Sequence, residues 1–381
     1  MDMEFYTFFF LRLLVVILGF KIGKKASVAI NNNYFLCVLP FIIAFTLNEG
    51  LRFGRGVDYN GYYFKYISIL AFETGDRIIS DPVFVALCHL NNFIGLPYQG
   101  LVFMFSLILA ISGVSLLRDD KNVLLYAFPL FFLHSMPAEN LMRWYLAFSF
   151  LLIAVYYYNK KKLKVALIFA VIAIGSHLAI ILIAILLFLI KQIKKPLFNL
   201  YISIGIYLLL WLLFSTDTML GLVSYVNKIG FLSDYYSGYI RNADVWLTGT
   251  GQGDEAQNFG IGLALPDILT IFLAYKIMQR HPNVTYFANI YIVGALLAAA
   301  LMRIELGYRI TVVLKLFQCI ILAYAFKDFL FTHKRSEIMM KMVSWIIVLN
   351  IIRVYFIFIF TDMAIDEVLY IWDSNYKSIL W

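Results

Sequence analysis

Runs of apolar side chains recur along the whole chain, and short polar segments separate them. The runs do not alternate apolar and polar residues, so they predict membrane-spanning α-helices rather than the strands of an outer-membrane barrel. Lipid offers no hydrogen-bond partners to an open backbone, which restricts such spans to helices. We therefore predict an all-α polytopic membrane protein with about ten spans. These spans lie near residues 5–20, 34–48, 99–117, 122–137, 141–158, 198–214, 260–276, 284–301, 308–326 and 342–360.

Lysine-rich clusters at the ends of the runs indicate the cytoplasmic side of the membrane. They lie at residues 21–25, 160–164, 191–195, 276–280 and 327–341. With all of them inside, both termini lie outside, and residues 1–381 form a single integral membrane domain. Two external loops follow from this topology, at 49–98 and 215–259. The first contains two apolar pieces that we expect to form short amphipathic helices.

The run VALIFAVIAIGSHLAIILIAILLFLI, residues 165–190, has lysines at both ends. A single crossing would place one lysine cluster outside. A re-entrant hairpin of two half-helices, turning at Gly175-Ser176-His177, would keep both clusters inside. Irregular backbone at membrane depth is tolerated where it lines a cavity, so we favour the hairpin over the single crossing.

Composition agrees with a membrane protein. Of the 381 residues, 62% are hydrophobic and 14% are charged, which leaves too little polar surface for a soluble domain of this length. The net charge of +8 comes from residues at the ends of spans, so we predict no nucleic-acid partner. Cys37, Cys88 and Cys319 lie in apolar segments without metal-ligand spacing, and no HExxH motif is present. We predict no metal and no cofactor. The first run follows an acidic start, which favours an uncleaved span over a secretory signal.

The candidate chemistry begins in EGLRFGRGVDYNGYY, residues 49–63, just beyond the outer end of the second predicted span. Lysine dominates the inner face, whereas arginine occurs at the outer edges of the spans. The guanidinium is a planar fork of donors that suits a phosphate or diphosphate. The alternative is that each arginine reaches lipid headgroups or pairs with a local acid. The outer arginines are Arg52, Arg55, Arg143, Arg303 and Arg309.

Other ionisable and aromatic residues at the same level have two interpretations each. The acids Glu49, Asp58 and Glu305 are either salt-bridge partners of the arginines or candidate general bases. His177 is either a core histidine or a functional group at the predicted break. Tyr59 and Tyr62 are either rings that stack on sugars or ordinary interfacial aromatics.

The order of these motifs resembles the EpsG family of Wzy-type polysaccharide polymerases. The resemblance covers about residues 34–190. In chain order its motifs are GRGVDYNGYY at 54–63, DPVF at 81–84, Arg143 at the start of a span followed by NKKKLK at 159–164, and HLA at 177–179. This chain has Trp144 where the family commonly has Gln, Val83 where it often has Gly, and Leu178 where it tends to have Ser.

The resemblance implies a multi-pass enzyme of the bacterial inner membrane with a GT-C-like layout and an active site that faces the periplasm or exterior. Its substrate would be an undecaprenyl-diphosphate-linked oligosaccharide, polymerised without a metal ion. Arg143, with Arg303 or Arg309, would neutralise the departing diphosphate. Asp58, His177 or Glu305 would take the proton of the acceptor hydroxyl. Arg52 and Arg55, with Glu49, Tyr59 and Tyr62, would bind the substrates or order the first loop.

Three other classes remain open at this point. A flippase or transporter of lipid-linked saccharides would need arginines in the inner half as well, where this chain has lysines. An O-antigen-type ligase would differ in its acceptor. A membrane acyltransferase would place His177 near the cytosol, against the predicted topology. Expected partners are membrane lipids, a flippase and a chain-length regulator.

Overall fold

The computed structural model of the chain describes residues 3–29, 33–54, 58–71, 81–214, 218, 261–302 and 305–360. These residues form helices and contain no β-strand, as the apolar pattern predicts. The helices up to the third lysine cluster are α1 Met3–Ser27, α2 Tyr34–Gly50, α3 Tyr59–Leu70, α4 Pro82–Phe93, α5 Tyr98–Leu116, α6 Leu124–His134, α7 Met142–Asn159, α8 Leu163–Ser176 and α9 Ile180–Lys191. The later helices are α10 Leu200–Leu213, α11 Ile261–Arg280, α12 Thr285–Leu301, α13 Glu305–Lys315, α14 Gln318–Phe329 and α15 Ile338–Phe360.

Three helical segments of the described residues are long and apolar enough to cross a membrane: Tyr98–Asp119, Pro282–Leu301 and Gly307–Phe329. Several shorter helices are also strongly apolar, including α2, α8, α9 and α10. These helices fit a polytopic membrane protein. The count of ten spans and the sidedness of the loops stay predictions.

The chain divides into two compact units, Met1–Leu186 with Val348–Trp381, and Leu187–Ile347. In the first unit, α1 packs against α2 and α6, α2 packs against α5, and α5 packs against α7. The segment 49–98 contributes α3 and α4, which pack against each other, and α4 also contacts α5 and α8. The short helices expected in this segment are therefore present.

The helix break expected at Gly175-Ser176-His177 is confirmed. His177 ends α8 with an extended backbone, φ −161° and ψ 114°, and α9 begins three residues later. In the described residues α8 packs mainly along α7 and makes few contacts with α9. The re-entrant course of the two half-helices stays a prediction.

In the second unit, α12 is the central helix and packs against α10, α11 and α13, while α11 also packs against α14. The middle of α12 is almost entirely buried, as its small and aromatic residues allow close packing on several sides. The second predicted loop, 215–259, lies outside the described residues except for Thr218.

Candidate active site

An ion pair joins two of the sequence motifs in the first unit. Arg143, in the first turn of α7, donates from Nη1 to Oδ2 of Asp81 at 2.5 Å. Asp81 stands directly before Pro82, and proline at the first helical position starts α4 without losing a backbone hydrogen bond. The side chains are 16% and 7% exposed. Burial raises the pKa of the Asp81 carboxyl, and the Arg143 guanidinium opposes that rise.

Aromatic rings enclose the Arg143 guanidinium. Its carbon lies 5.8 Å from the centroid of the Tyr62 ring and 5.5 Å from that of Phe84, both within cation–π range. Its Nε is buried and has no hydrogen-bond partner among the described residues. The Arg143 side chain is therefore held in one place, and it has an N–H donor that the pair with Asp81 does not use.

The break after α8 lies against the same ion pair. The backbone N–H of Leu178 donates to the Asp81 carboxylate. The His177 ring meets the Trp144 ring edge to face, with centroids 5.0 Å apart. A Cβ on Gly175 would lie 2.8 Å from Cγ2 of Val83, so glycine lets α8 approach the start of α4. Four motifs that are far apart in sequence thus meet in one place.

The protonation of His177 is constrained by its own turn. The backbone N–H of Ala179 donates to Nδ1 of His177 at 3.3 Å. A neutral imidazole that accepts at Nδ1 carries its proton at Nε2. His177 in this arrangement is a hydrogen-bond donor through Nε2 rather than a proton acceptor there.

Asp58 and Tyr59 begin α3 and differ in their surroundings. Asp58 is half-buried, and its backbone carbonyl accepts from the N–H of Tyr62 at 2.9 Å. Residues four apart lie on one face of a helix, so Asp58 precedes by one turn the ring that contacts Arg143. Tyr59 is 3% exposed, and its hydroxyl donates to Oε1 of Gln99 at 2.8 Å. This placement favours packing over sugar stacking for Tyr59.

Arg52 lines a different part of the unit. It is 4% exposed and borders a cavity of about 20 Å³ that also touches Glu49, Ser106 and Tyr145. A cavity of that size has room for about one water molecule. A diphosphate does not fit it as it stands, and its lining does not include Arg143.

Glu49 belongs to a buried charge cluster centred on Arg12, in the middle of α1. Arg12 is fully buried, and its Nη2 donates to Oε1 of Glu49 at 3.1 Å and to Oε1 of Glu139. Asn48 also donates to Glu49, from Nδ2 to Oε1 at 2.7 Å. Sequence reasoning paired Glu49 with the outer arginines and missed Arg12. The signal was present, because Arg12 is the only charged residue within the predicted span 5–20.

The remaining candidates are placed only in part. Glu305 begins α13, and Arg309 is partly buried on the same helix in the second unit. Arg55 and Arg303 lie outside the described residues. Convergence of all five outer arginines stays a prediction. Within the part of the chain that the structure describes, no three His, Cys, Asp or Glu side chains could hold a metal ion together.

Comparison with known proteins gives one match. A family model described as EpsG family matches residues 32–372, which is most of the chain and extends far beyond the motifs at 54–179. No curated protein and no solved structure matches the chain.

Proposed function

The chain belongs to the EpsG family, which is associated with Wzy-like polysaccharide polymerases, and we propose that it is a polymerase of lipid-linked glycans. The donor is a glycan attached at its reducing end to a lipid diphosphate. The acceptor is a second lipid-linked repeat unit, and the reaction takes place at the external face of the membrane. The observation that carries this proposal is the meeting of Arg143, Asp81, His177 and Tyr62.

The proposed reaction is a single displacement at the anomeric carbon of the donor. The acceptor hydroxyl oxygen forms the new bond to that carbon while the bond from carbon to diphosphate oxygen breaks. The lipid diphosphate leaves with the bonding electrons, and the hydroxyl proton passes to a carboxylate. Preorganised donors that face developing negative charge are the largest contribution to many such reactions.

Arg143 and His177 supply those donors in our proposal. The guanidinium offers a fork that matches diphosphate oxygens, and its position between Tyr62 and Phe84 limits its freedom before substrate arrives. In this proposal His177 donates from Nε2, and the contact at its Nδ1 supports that tautomer. Asp58, one turn from Tyr62, is then the preferred proton acceptor among the three bases considered from sequence.

The test uses purified protein in detergent with lipid-linked repeat units and follows polymer ladders. We expect Arg143→Ala to lower kcat by about 10² to 10³, the range for removal of one transition-state donor. Asp58→Asn should lower kcat by about 10² to 10⁴, as for loss of a general base. Lys160→Ala, which breaks an exposed ion pair with Asp119 on the same unit, is the control and should leave the ladder unchanged.

His177 variants separate the two possible roles of the histidine. In His177→Gln the side-chain amide can place an N–H near the position of Nε2 but cannot act as a base. We expect it to retain far more activity than His177→Ala. Equal loss in both variants would assign His177 to proton transfer and overturn its donor role. Normal ladders in Arg143→Ala and Asp58→Asn would overturn the proposal as a whole. In detergent there is no membrane for a substrate to cross. Polymer formation in detergent therefore also excludes transport as the sole activity.

A further inference from the structure

A charged and hydroxyl-rich cluster lies inside the second unit. Asp267, on α11, is 2% exposed. Its Oδ2 accepts from Lys315 Nζ at 2.9 Å and from the Tyr207 hydroxyl at 3.3 Å. Its Oδ1 accepts from the Tyr291 hydroxyl at 2.9 Å. The four side chains come from α10, α11, α12 and α13, so this cluster joins four helices.

The carboxylate of the cluster is buried, whereas the Lys315 side chain is 28% exposed. Lys315 is the last of the 11 residues of α13, which places it about 15 Å along the helix from Glu305. Ionisable residues at membrane depth are expensive and indicate function. Apolar side chains of similar volume would stabilise such a site about as well as a buried ion pair. Stability alone therefore does not account for Asp267 and Lys315.

A two-residue irregularity follows Lys315 within the longer helical segment Gly307–Phe329. At Leu316 and Phe317 the α-helical pattern gives way to tighter turns, with Phe317 N–H donating to the Leu314 carbonyl at 3.4 Å and Cys319 N–H donating to the Leu316 carbonyl at 3.1 Å. The sequence there has neither glycine nor proline, the usual causes of a break. The irregularity coincides with the ion pair between Lys315 and Asp267 of α11.

Two glycines fix α13 at both ends. A Cβ on Gly294 of α12 would lie 2.7 Å from the Leu314 Cβ and 3.3 Å from the Lys315 nitrogen. A Cβ on Gly307 would lie 2.2 Å from the Leu301 carbonyl oxygen. Neither position tolerates a side chain without a shift of backbone, so α12 holds the inner and outer ends of α13 in direct contact.

We infer that Asp267 and Lys315 are positioning residues that set the placement of α13, the short helix that carries Glu305 and Arg309. The inference rests on the proposed function and adds to it a role for Arg309 in binding the lipid diphosphate, as the family resemblance implies. Lys315 anchors the inner end of α13 through Asp267, and the two tyrosines orient the carboxylate. The ion pair ties the Lys315 end of α13 to α11 while α12 contacts both ends, so loss of the pair shifts α13 against α12.

The experiment measures catalysis and helix placement separately. Lys315→Met removes the charge, Lys315→Arg keeps it, and Asp267→Asn with Lys315→Met removes both charges together. We expect kcat/KM per folded protein to fall roughly 10- to 100-fold in Lys315→Met, mainly through KM for the lipid-linked unit, since small misplacement of binding groups costs that much. Lys315→Arg should recover most of it. The double variant should recover the yield of folded protein but not KM.

Placement is read from the labelling rate of a cysteine introduced as Arg309→Cys with a membrane-impermeant thiol reagent. The parent chain gives the background from Cys37, Cys88 and Cys319. Addition of Lys315→Met to this variant should change the labelling rate of the introduced cysteine several-fold. Asp119→Asn, which breaks an exposed pair in the other unit, is the control and should change neither KM nor labelling.

The outcomes separate the two proposals. If Lys315→Met leaves both KM and the labelling rate within twofold of the parent, the positioning role is overturned. If the wild-type protein makes no polymer from lipid-linked units, the proposed function fails, and the labelling alone decides the anchor. A changed labelling rate of the introduced cysteine then supports the anchor, and an unchanged rate refutes it.

Discussion

Replacement of Arg12 by Met should destabilise the protein strongly. Arg12 is fully buried, and it neutralises Glu49 and Glu139, which are themselves 8% and 4% exposed. One unit-charge pair at the 3.1 Å separation of Arg12 and Glu49 is worth about 5 kcal/mol at an effective dielectric constant of 20. Removal of one partner of a buried pair typically costs about 3–5 kcal/mol. Because two carboxylates lose their partner at once, we expect about 4–5 kcal/mol.

Removal of the two carboxylate charges that remain should restore most of the stability lost in Arg12→Met. A triple variant, Arg12→Met with Glu49→Gln and Glu139→Gln, leaves no buried charge in the cluster. We expect its free energy of unfolding to return to within about 2 kcal/mol of the wild type, since neutral replacements of buried ion pairs are close to neutral in stability. Lys160→Met, at a pair whose side chains are 41% and 49% exposed, should cost less than about 1 kcal/mol.

The assay is unfolding of the purified protein by SDS titration in mixed micelles, followed by far-UV circular dichroism. Two results would refute the reasoning. One is a single variant Arg12→Met within about 1 kcal/mol of the wild type, which would mean that the carboxylates are not buried charges. The other is a triple variant as unstable as the single one, which would assign the effect to packing of the arginine stem against Phe8 and Phe132.

Two further predictions use other parts of the first unit. Gly113→Ala should destabilise the protein by about 1–3 kcal/mol in the same assay, because a Cβ there would lie 2.2 Å from the ring of Phe131. The control is Gly61→Ala, whose Cβ would meet nothing within 4 Å, and it should be neutral or slightly stabilising. Inorganic pyrophosphate should bind more tightly as the pH falls, because burial raises the pKa of Asp81 and its protonation releases Arg143 to the anion. Asp81→Asn should abolish that part of the pH dependence, measured by calorimetry against the wild type, and an unchanged slope would contradict it.

Local sequence signals predicted several features of the first unit. The apolar run 165–190 contains Gly175-Ser176-His177, and the helix does end there. The direction of the chain after the break was not predictable in the same way. The hairpin came from lysine clusters, which carry information about sidedness and none about the backbone angles of one residue. The extended His177 lies where its ring meets Trp144 and where the neighbouring Gly175 approaches the start of α4.

The irregularity after Lys315 is a feature that local sequence signals do not predict. No glycine or proline marks it, and the run 308–326 looks like one continuous span. It lies beside an ion pair to Asp267, 48 residues earlier in the chain, and beside the close approach of Gly294. Helix propensity describes neighbours within one turn, so contacts with residues this distant in sequence are invisible to it. The isolated lysine within an apolar run was the only local sign.

The outer arginines show why a candidate functional residue was easier to predict than the residue it pairs with. Arg143 was singled out because arginine at a span start is costly unless used, and that argument needs no structure. Its pairing with Asp81 depends on how α4 and α7 meet, which no local pattern encodes.

The pairing of Arg143 with Asp81 has a consequence for diphosphate binding. A guanidinium already neutralised by one carboxylate binds a diphosphate either through its remaining donors or by releasing that carboxylate. A buried aspartate with a raised pKa is suited to release, since protonation removes its charge without requiring it to reach water. In the proposed mechanism the ion pair with Asp81 holds Arg143 in position between turnovers.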